Sequence, residues 1–263
     1  MKAAICIDAV LPGLEPAEQI ARVAAAGFDA VEFWSWRGRD LDALGAACER
    51  HGVRVVSFTG HRVGDPVAAQ THADFLASVA ETVPVARRLD CRTLLLLTNV
   101  LGSNGRPVDT HDYISDEAKY ANVVAALKRV LEETPEDIHF NLEPLNTRLD
   151  HPGYYLSDMR TATRLIRDVG DPRLKVLCDL YHQRVMGDDL VALVAEHLPH
   201  IGHFHLADVP GRHEPGTGEV DWVPVLRRVK KGGYRGYVGF EYFPAQPGSA
   251  DGLAAVQRLW ASL

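Results

Sequence analysis

The chain has 263 residues, 46% of them hydrophobic and 24% charged, a composition typical of a globular protein with an ample core. Its formal net charge of −7 opposes binding to nucleic acid or anionic lipid, because no block of lysine and arginine offsets it. The first residues lack a signal-peptide pattern, and no run approaches the roughly 18 apolar residues of a membrane span. Four cysteines without a C-x-x-C pair indicate reduced thiols. We therefore expect a cytoplasmic protein.

Short aliphatic or β-branched runs alternate with longer amphipathic stretches about eight times along the chain. Strands are predicted near residues 2–7, 29–34, 53–58, 92–98, 137–143, 174–179, 200–206 and 236–241. Helices are predicted near residues 16–26, 40–51, 68–89, 114–134, 158–169, 188–198, 221–231 and 250–262. Glycine follows several of these helices, as at Gly52 and Gly170, where it allows the chain to turn out of the last helical turn.

Eight βα units predict an α/β fold of the (β/α)8 TIM-barrel type, with residues 1–263 forming one domain. A doubly wound open sheet is the rival for an alternating pattern. The barrel is favoured because about 250 residues is its usual length. In addition, no G-x-G-x-x-G motif follows the first predicted strand.

The last four predicted strands each end at a carboxylate or an imidazole, namely Glu143, Asp179, His205 and Glu241. The carboxyl ends of barrel strands gather at one face, so these four side chains are predicted to share one divalent ion. Three carboxylates and one imidazole favour Mg²⁺ or Mn²⁺ over Zn²⁺. The alternative is four separate residues with local hydrogen bonds.

Two segments carry a family resemblance. Residues 141–148 read NLEPLNTR and are followed by PGYYL at residues 152–156, and residues 203–219 read HFHLADVPGRHEPGTGE. Both segments resemble the hydroxypyruvate isomerases, a group within the xylose-isomerase-like TIM barrels of sugar and keto-acid isomerases and epimerases. One departure is His205, since hydroxypyruvate isomerases more often have glutamine there, whereas histidine resembles the ketose 3-epimerases.

The resemblance implies that Glu143, Asp179, His205 and Glu241 bind the ion, and that Glu143 and Glu241 also move a proton. The chemistry asks for the same residue types. Isomerisation removes a proton from a carbon beside a carbonyl and returns it nearby, and a metal with two carboxylates can stabilise and carry out that exchange.

Five further residues are candidates for substrate binding. His182 follows the sixth strand, where a neutral imidazole can hydrogen-bond a substrate oxygen, and the alternative is a surface histidine. Arg212 and Arg148 are candidates for a substrate carboxylate, with a solvated loop cation as the alternative. Glu219 could orient Arg212, or it could mark the entry to the next helix. His61 follows the third strand and could line the pocket or pack.

Three further aromatic residues lie at or near predicted strand ends. Trp34 and Trp36 follow the second strand, where packing is the favoured role and lining of the pocket mouth the alternative. His203 is expected to point away from the face of His205.

The leading prediction is a metal-dependent isomerase of a small hydroxy-keto acid or sugar, with hydroxypyruvate and tartronate semialdehyde as the specific pair. The alternatives are a ketose 3-epimerase or a 2-oxotetronate isomerase. A metal-dependent phosphodiesterase or endonuclease of this fold is disfavoured by the net charge of −7, and a catalytically silent sugar-binding barrel would not need both Glu143 and Glu241. The expected partners are a small-molecule substrate and, as a homo-oligomer, further copies of the chain, without nucleic acid or membrane.

Overall fold

The computed structural model describes residues 1–246 and 251–263. Its centre is a closed barrel of eight parallel strands, each paired with the next along the chain, and the last strand pairs with the first. The strands are β1 (Lys2–Cys6), β2 (Ala30–Phe33), β3 (Arg54–Thr59), β4 (Thr93–Leu96), β5 (His139–Leu142), β6 (Leu174–Asp179), β7 (Ile201–Leu206) and β8 (Tyr237–Phe240). The predicted (β/α)8 barrel is therefore confirmed.

Helices surround the barrel. The described part of the chain contains α1 (Ile7–Val10), α2 (Pro16–Ala25), α3 (Leu41–His51), α4 (His72–Arg88), α5 (Asp116–Glu133), α6 (Met159–Val169), α7 (Leu180–Met186), α8 (Leu190–His197), α9 (Trp222–Lys231) and α10 (Asp251–Ala261). The eight predicted helices agree with α2 to α6 and α8 to α10 within a few residues. Ala250, the first residue of the last predicted helix, lies outside the described residues. No helix in the described ranges is long and apolar enough to cross a membrane.

Two short helices, α1 and α7, were not predicted from the sequence. Each begins directly where a strand ends, so neither is separated from its strand by the turn residues that mark a boundary. The side chain of Asp179 accepts hydrogen bonds from the backbone N–H groups of Tyr181 and His182 and so caps α7. His182 was predicted in a loop but lies in the first turn of this helix.

The two faces of the strands have different surroundings. Phe204 on β7 packs edge to face on Tyr234, and Phe240 on β8 packs in the same way on Trp260 of α10. These rings belong to the apolar layer between the barrel and its helices. His205 alternates with Phe204 along β7, so it faces the barrel interior.

The barrel interior beside His205 is polar and tightly filled. Gly239 on β8 lies opposite His205 in the strand register. A Cβ atom at Gly239 would come within 1.9 Å of Glu32 Oε1 and 2.8 Å of a His205 ring carbon. Glycine at this position therefore leaves room for a carboxylate and an imidazole inside the barrel.

Candidate metal and substrate site

The four predicted ligands lie at the carboxyl ends of β5 to β8. Asp179 is the last residue of β6 and His205 the second-last of β7, whereas Glu143 and Glu241 directly follow β5 and β8. His205 Nδ1 is 3.8 Å from Glu143 Oε1 and 3.4 Å from Glu241 Oε2. Asp179, His205 and Glu241 offer ligand atoms that all lie within 4.8 Å of one another, and all four side chains are buried.

The same four residues contain polar atoms with unmet bonding capacity. Glu143 Oε1 and His205 Nδ1 are buried and accept or donate no hydrogen bond within the described part of the chain. Such atoms are costly in a folded protein unless a ligand satisfies them. The potential metal ligands here are carboxylate oxygens and one imidazole nitrogen. This set of atoms therefore fits a divalent cation.

Arg212 brings a positive charge into this group of carboxylates. Its Nη2 is 3.1 Å from Asp179 Oδ2 and also contacts Glu241 Oε2. The guanidinium lies over the Tyr181 ring, 5.0 Å from its centre, and it is largely buried. Arg212 therefore offsets the charge of two predicted metal ligands, a contact that the sequence did not indicate.

The three carboxyl groups differ in their pKa. Burial raises the pKa of Glu143 well above its ordinary value, and the nearby Glu241 and Asp179 add to this, although His205 opposes it. Burial also raises the pKa of Asp179. Burial alone would raise the pKa of Glu241 as well, but Arg212 and His205 lower it well below its ordinary value. The two glutamates thus have opposite protonation tendencies in one small space.

Glu32 is a site residue that the sequence analysis missed. Its Oε2 accepts a hydrogen bond from His203 Nε2 at 2.7 Å, and its Oε1 is 3.0 Å from His205 Nε2. The expectation that His203 points away from His205 is wrong, because residues two apart on a strand share a face. A signal was present, since Glu32 is a charged residue inside the otherwise apolar strand β2.

Glu32 and His205 also shift each other's pKa. Burial alone would raise the pKa of Glu32, but His205 and His203 lower it to about 2. Burial would lower the pKa of His205, yet Glu32 and Glu241 hold it well above its ordinary value. His205 therefore has Glu32 at Nε2 and Glu143 and Glu241 at Nδ1.

Trp34 lines the mouth of the barrel. It is 42% exposed, and its Nε1 donates a hydrogen bond to Glu241 Oε1 at 2.5 Å. Phe243, at 43% exposure, lies beside it with ring centres 6.3 Å apart. Packing was the favoured role for both tryptophans, and it holds for Trp36, whose Nε1 donates to Thr82 Oγ1, but not for Trp34.

His182 and His61 are both buried. His182 Nε2 is 3.4 Å from Asp179 Oδ2, which brings this imidazole to the predicted ligands. His61 packs edge to face on Phe75, and burial lowers its pKa to about 3. The Nδ1 of His61 has no hydrogen-bond partner within residues 1–246 and 251–263.

Arg148 and Glu219 lie outside this buried group. Arg148 is exposed and lies beside Gly187 at the end of α7. The Glu219 side chain is 63% exposed and lies 3.4 Å from Arg184. Among the described residues, the Arg212 side chain donates hydrogen bonds to Asp179 and Glu241 and not to Glu219.

Comparison with known proteins agrees with this architecture. Residues 20–259 match the family model described as xylose isomerase-like TIM barrel. The chain belongs to the xylose isomerase-like TIM barrel family. It is 31% identical over 263 residues to a putative hydroxypyruvate isomerase of Mus musculus, with 95% of this chain and 91% of that protein covered. The resemblance to hydroxypyruvate isomerases predicted from the sequence is therefore confirmed.

Other similar proteins have different names. A 2-oxo-tetronate isomerase of Cupriavidus necator is 28% identical over 245 residues, covering 90% of each chain. The crystal structure of an AP endonuclease, family 2, from Brucella melitensis superposes with a TM-score of 0.88 at 26% identity, covering 98% of this chain and 99% of that one. Membership of the family thus fixes the fold and leaves the substrate to be argued from the site.

Proposed function

We propose that this chain is an isomerase that depends on one divalent metal ion and converts hydroxypyruvate to tartronate semialdehyde (2-hydroxy-3-oxopropanoate). The observation that carries the proposal is that Asp179, His205 and Glu241 offer ligand atoms within 4.8 Å of one another, while Glu143 Oε1 lies 3.8 Å from His205 Nδ1. Two atoms of that group, Glu143 Oε1 and His205 Nδ1, have no hydrogen-bond partner in the described residues. The name of the mouse relative supports the choice of substrate.

Glu143, Asp179, His205 and Glu241 would hold the ion, and their oxygen-rich donor set suits Mg²⁺ or Mn²⁺. When bound, the ion would supply positive charge that stabilises negative charge developing on the substrate oxygens. The site is enclosed, since each of the four residues is at most 6% exposed. Enclosure strengthens electrostatic interactions because water is excluded.

Proton transfer is assigned to Glu143 and Glu241. The reaction removes one proton from C3 of hydroxypyruvate and returns one to C2, while a hydroxyl proton passes from the C3 oxygen to the C2 oxygen. Two carboxyl groups with opposite protonation tendencies suit the removal and the return of a proton. Trp34 holds Oε1 of Glu241 by its hydrogen bond and so fixes the orientation of that carboxylate.

Arg212 is the proposed partner of the substrate carboxylate. Its guanidinium contacts two of the predicted ligands, Asp179 and Glu241, whereas Arg148 is exposed. Arg212 would exchange Asp179 and Glu241 for the substrate carboxylate when those two side chains bind an ion. A guanidinium can bind a carboxylate through two parallel hydrogen bonds, which suits a keto acid better than a neutral ketose.

A 2-oxotetronate isomerase is the second candidate, because the Cupriavidus necator relative has that name and such a substrate has the same keto-acid end. A ketose 3-epimerase has the support of His205 in place of the glutamine more usual in hydroxypyruvate isomerases. An endonuclease, which is the name of the Brucella melitensis protein, has less support. Three carboxylates beside one arginine and a net charge of −7 repel a polyanionic phosphodiester substrate.

The test is turnover of hydroxypyruvate by the Mn²⁺-loaded protein in D₂O. We expect deuterium at C2 of the product, since the transferred proton exchanges with solvent at the glutamates. Glu143→Gln or Glu241→Gln should each lower turnover by about 10²- to 10⁴-fold. Binding of Mn²⁺ should weaken much less, because glutamine keeps an oxygen donor. Glu49→Gln, at an exposed position, is the matched control.

Two results would count against the proposal. Complete retention of the substrate hydrogen would indicate a hydride shift and would remove the role given to the glutamates. Faster turnover of a 2-oxotetronate or a free ketose than of hydroxypyruvate would move the assignment to that substrate.

A further inference from the structure

His151, in the segment between β5 and α6, is a buried histidine without an assigned role. It is 8% exposed, and its Nδ1 lies 2.6 Å from the carbonyl oxygen of Gly105. Its Nε2 is buried and lacks a hydrogen-bond partner among the residues that the structure describes. The ring lies edge to face against His182, with centres 5.1 Å apart. An unpartnered nitrogen therefore lies next to a residue of the proposed site.

The contact with Gly105 fixes the tautomer of His151. A carbonyl oxygen can only accept a hydrogen bond, so Nδ1 of His151 carries the proton and donates it. Nε2 of the neutral ring is then an acceptor with a free lone pair. Burial lowers the pKa of His151, which favours the neutral ring.

Asn146 fixes the opposite tautomer in His182. The Oδ1 of Asn146 accepts hydrogen bonds from the backbone N–H groups of Leu149 and Asp150, at 3.1 and 2.9 Å. Its Nδ2 must therefore be the atom that lies 2.6 Å from His182 Nδ1, and it donates to that nitrogen. The proton of the neutral His182 ring is then on Nε2, the nitrogen on the side of Asp179.

We propose that His151 and His182 act as a matched acceptor and donor that bind one hydroxyl group of the substrate, and that His151 selects for that hydroxyl. A hydroxyl oxygen accepts a hydrogen bond from His182 Nε2–H and donates its own hydrogen to His151 Nε2. The inference rests on the proposed function, because it takes the ligand of His182 to be a small hydroxy-keto acid.

Other groups fit this pair less well. A carboxylate offers two acceptors and would set an oxygen lone pair against that of His151 Nε2. A methyl group would leave both buried nitrogens unpaired, and a site built for a hydroxyl rejects such an analogue. Asp150, His151 and His182 also lie close enough together to hold a cation. However, Oδ2 of Asp150 already accepts a hydrogen bond from Asn146 Nδ2 at 2.7 Å.

The test compares dissociation constants of hydroxypyruvate and 2-oxobutanoate, which has a methyl group in place of the hydroxyl, for the Mn²⁺-loaded protein. His151→Phe keeps a ring and removes the acceptor. We expect it to weaken hydroxypyruvate binding by about 3- to 10-fold and to leave 2-oxobutanoate binding unchanged. His72→Phe is the matched control, since His72 is also buried and one of its ring nitrogens, Nε2, lies beside a loop carbonyl, that of Pro66.

An unchanged ratio of the two dissociation constants in a folded His151→Phe protein would overturn the inference and leave the proposed function intact. Binding of a second Mn²⁺ that is lost in this variant would also overturn it, in favour of a cation. If the wild type neither binds nor isomerises hydroxypyruvate, the proposed substrate falls. In that case, the ratio of dissociation constants is measured for 3,4-dihydroxy-2-oxobutanoate and its 3-deoxy analogue, in the wild type and in His151→Phe. An unchanged ratio overturns the inference, and so does the absence of binding by both compounds.

Discussion

Glu32 shows how one buried charge can organise residues that the sequence keeps far apart. It lies on β2, and both its oxygens face imidazole Nε2 atoms from β7, those of His203 and His205. The Nε2 of His205 lies 3.0 Å from Glu32 Oε1, and its Nδ1 faces Glu143 and Glu241. When a cation displaces the Nδ1 proton, the proton on Nε2 would stay beside Glu32 and the Nδ1 lone pair would be the ligand. A partner of this kind orients a ligating histidine and raises its basicity.

We predict that Glu32→Gln weakens Mn²⁺ binding and lowers stability. Glutamine has one acceptor oxygen for two histidine N–H groups, so one buried donor loses its partner, at a cost of about 1–3 kcal/mol. Mn²⁺ affinity should fall by about 10- to 100-fold because His205 is no longer held in one tautomer. Calorimetric titration with Mn²⁺ and urea unfolding would measure both effects. Unchanged Mn²⁺ affinity would refute the positioning role.

His61 gives a prediction about pH. Its pKa in the folded protein, about 3, lies below the roughly 6.5 of an unfolded histidine. The unfolded chain therefore binds the proton more readily, so the stability that His61 contributes is complete above about pH 6.5 and declines as the pH falls toward 3. The free energy of unfolding should drop by up to about 1.4 kcal/mol per pH unit from this residue.

The measurement is urea unfolding of the wild type and His61→Phe between pH 7.5 and 5. Groups common to both proteins cancel in the difference. The variant should lose less stability with acid, so the stability of the wild type relative to the variant should decrease as the pH falls. Parallel curves would show that His61 is protonated equally in both states.

At the scale of secondary-structure elements, the junction of β6 and α7 gives Asp179 two tasks. Its Oδ1 accepts hydrogen bonds from the N–H groups of Tyr181 and His182, at 2.8 and 3.3 Å, and caps the helix. Its Oδ2 is left for Arg212 and for a cation. The cap turns the chain directly into α7, which brings His182 back over Asp179. A carboxylate that closes a strand can therefore also start a helix.

Helix α3 offers a prediction at this scale, because it has one glycine inside it and one at its end. Gly45 lies within the helix, and a Cβ atom there would meet nothing within 4 Å. Gly52 ends the helix with φ +65°, in the left-handed region. Gly45→Ala should stabilise the protein by about 0.5–1 kcal/mol, whereas Gly52→Ala should destabilise it by about 1 kcal/mol.

Thermal and urea unfolding of the two alanine variants would measure these opposite effects. The two sites share one helix and neither added methyl group meets a neighbour, so backbone conformation is the difference between them. Equal changes of the same sign in the free energy of unfolding would contradict the explanation.

At the scale of the whole molecule, closure of the barrel assembles the site. β8 pairs with β1, and this pairing brings Glu241 beside Cys6, whose sulfur is 3.7 Å from Glu241 Oε1. The predicted ligands follow four consecutive strands, so each is held by backbone hydrogen bonds on both sides of its strand. Three buried carboxylates in one place oppose folding unless cations offset them.

A cation that binds the folded barrel should therefore stabilise it. At 100 times its dissociation constant, Mn²⁺ should contribute about 2.7 kcal/mol and raise the melting temperature by about 5–10 °C, and a chelator should reverse this. Asp179→Asn should lose most of the shift, because its one oxygen caps α7 and its NH₂ group then faces the cation. Glu49→Gln should retain the shift. Differential scanning calorimetry would measure it, and an equal shift in all three proteins would place Mn²⁺ elsewhere.

The sequence by itself determined the order of strands and helices and the strand end at which each predicted ligand lies. It could do so because local periodicity sets each element, and because the carboxyl ends of parallel barrel strands must meet at one face. The tertiary structure decided which groups touch across that face. Glu32 meets His203 over 171 positions of sequence, and Arg212 meets Asp179 over 33. Such contacts depend on barrel closure and loop geometry, which no local pattern encodes.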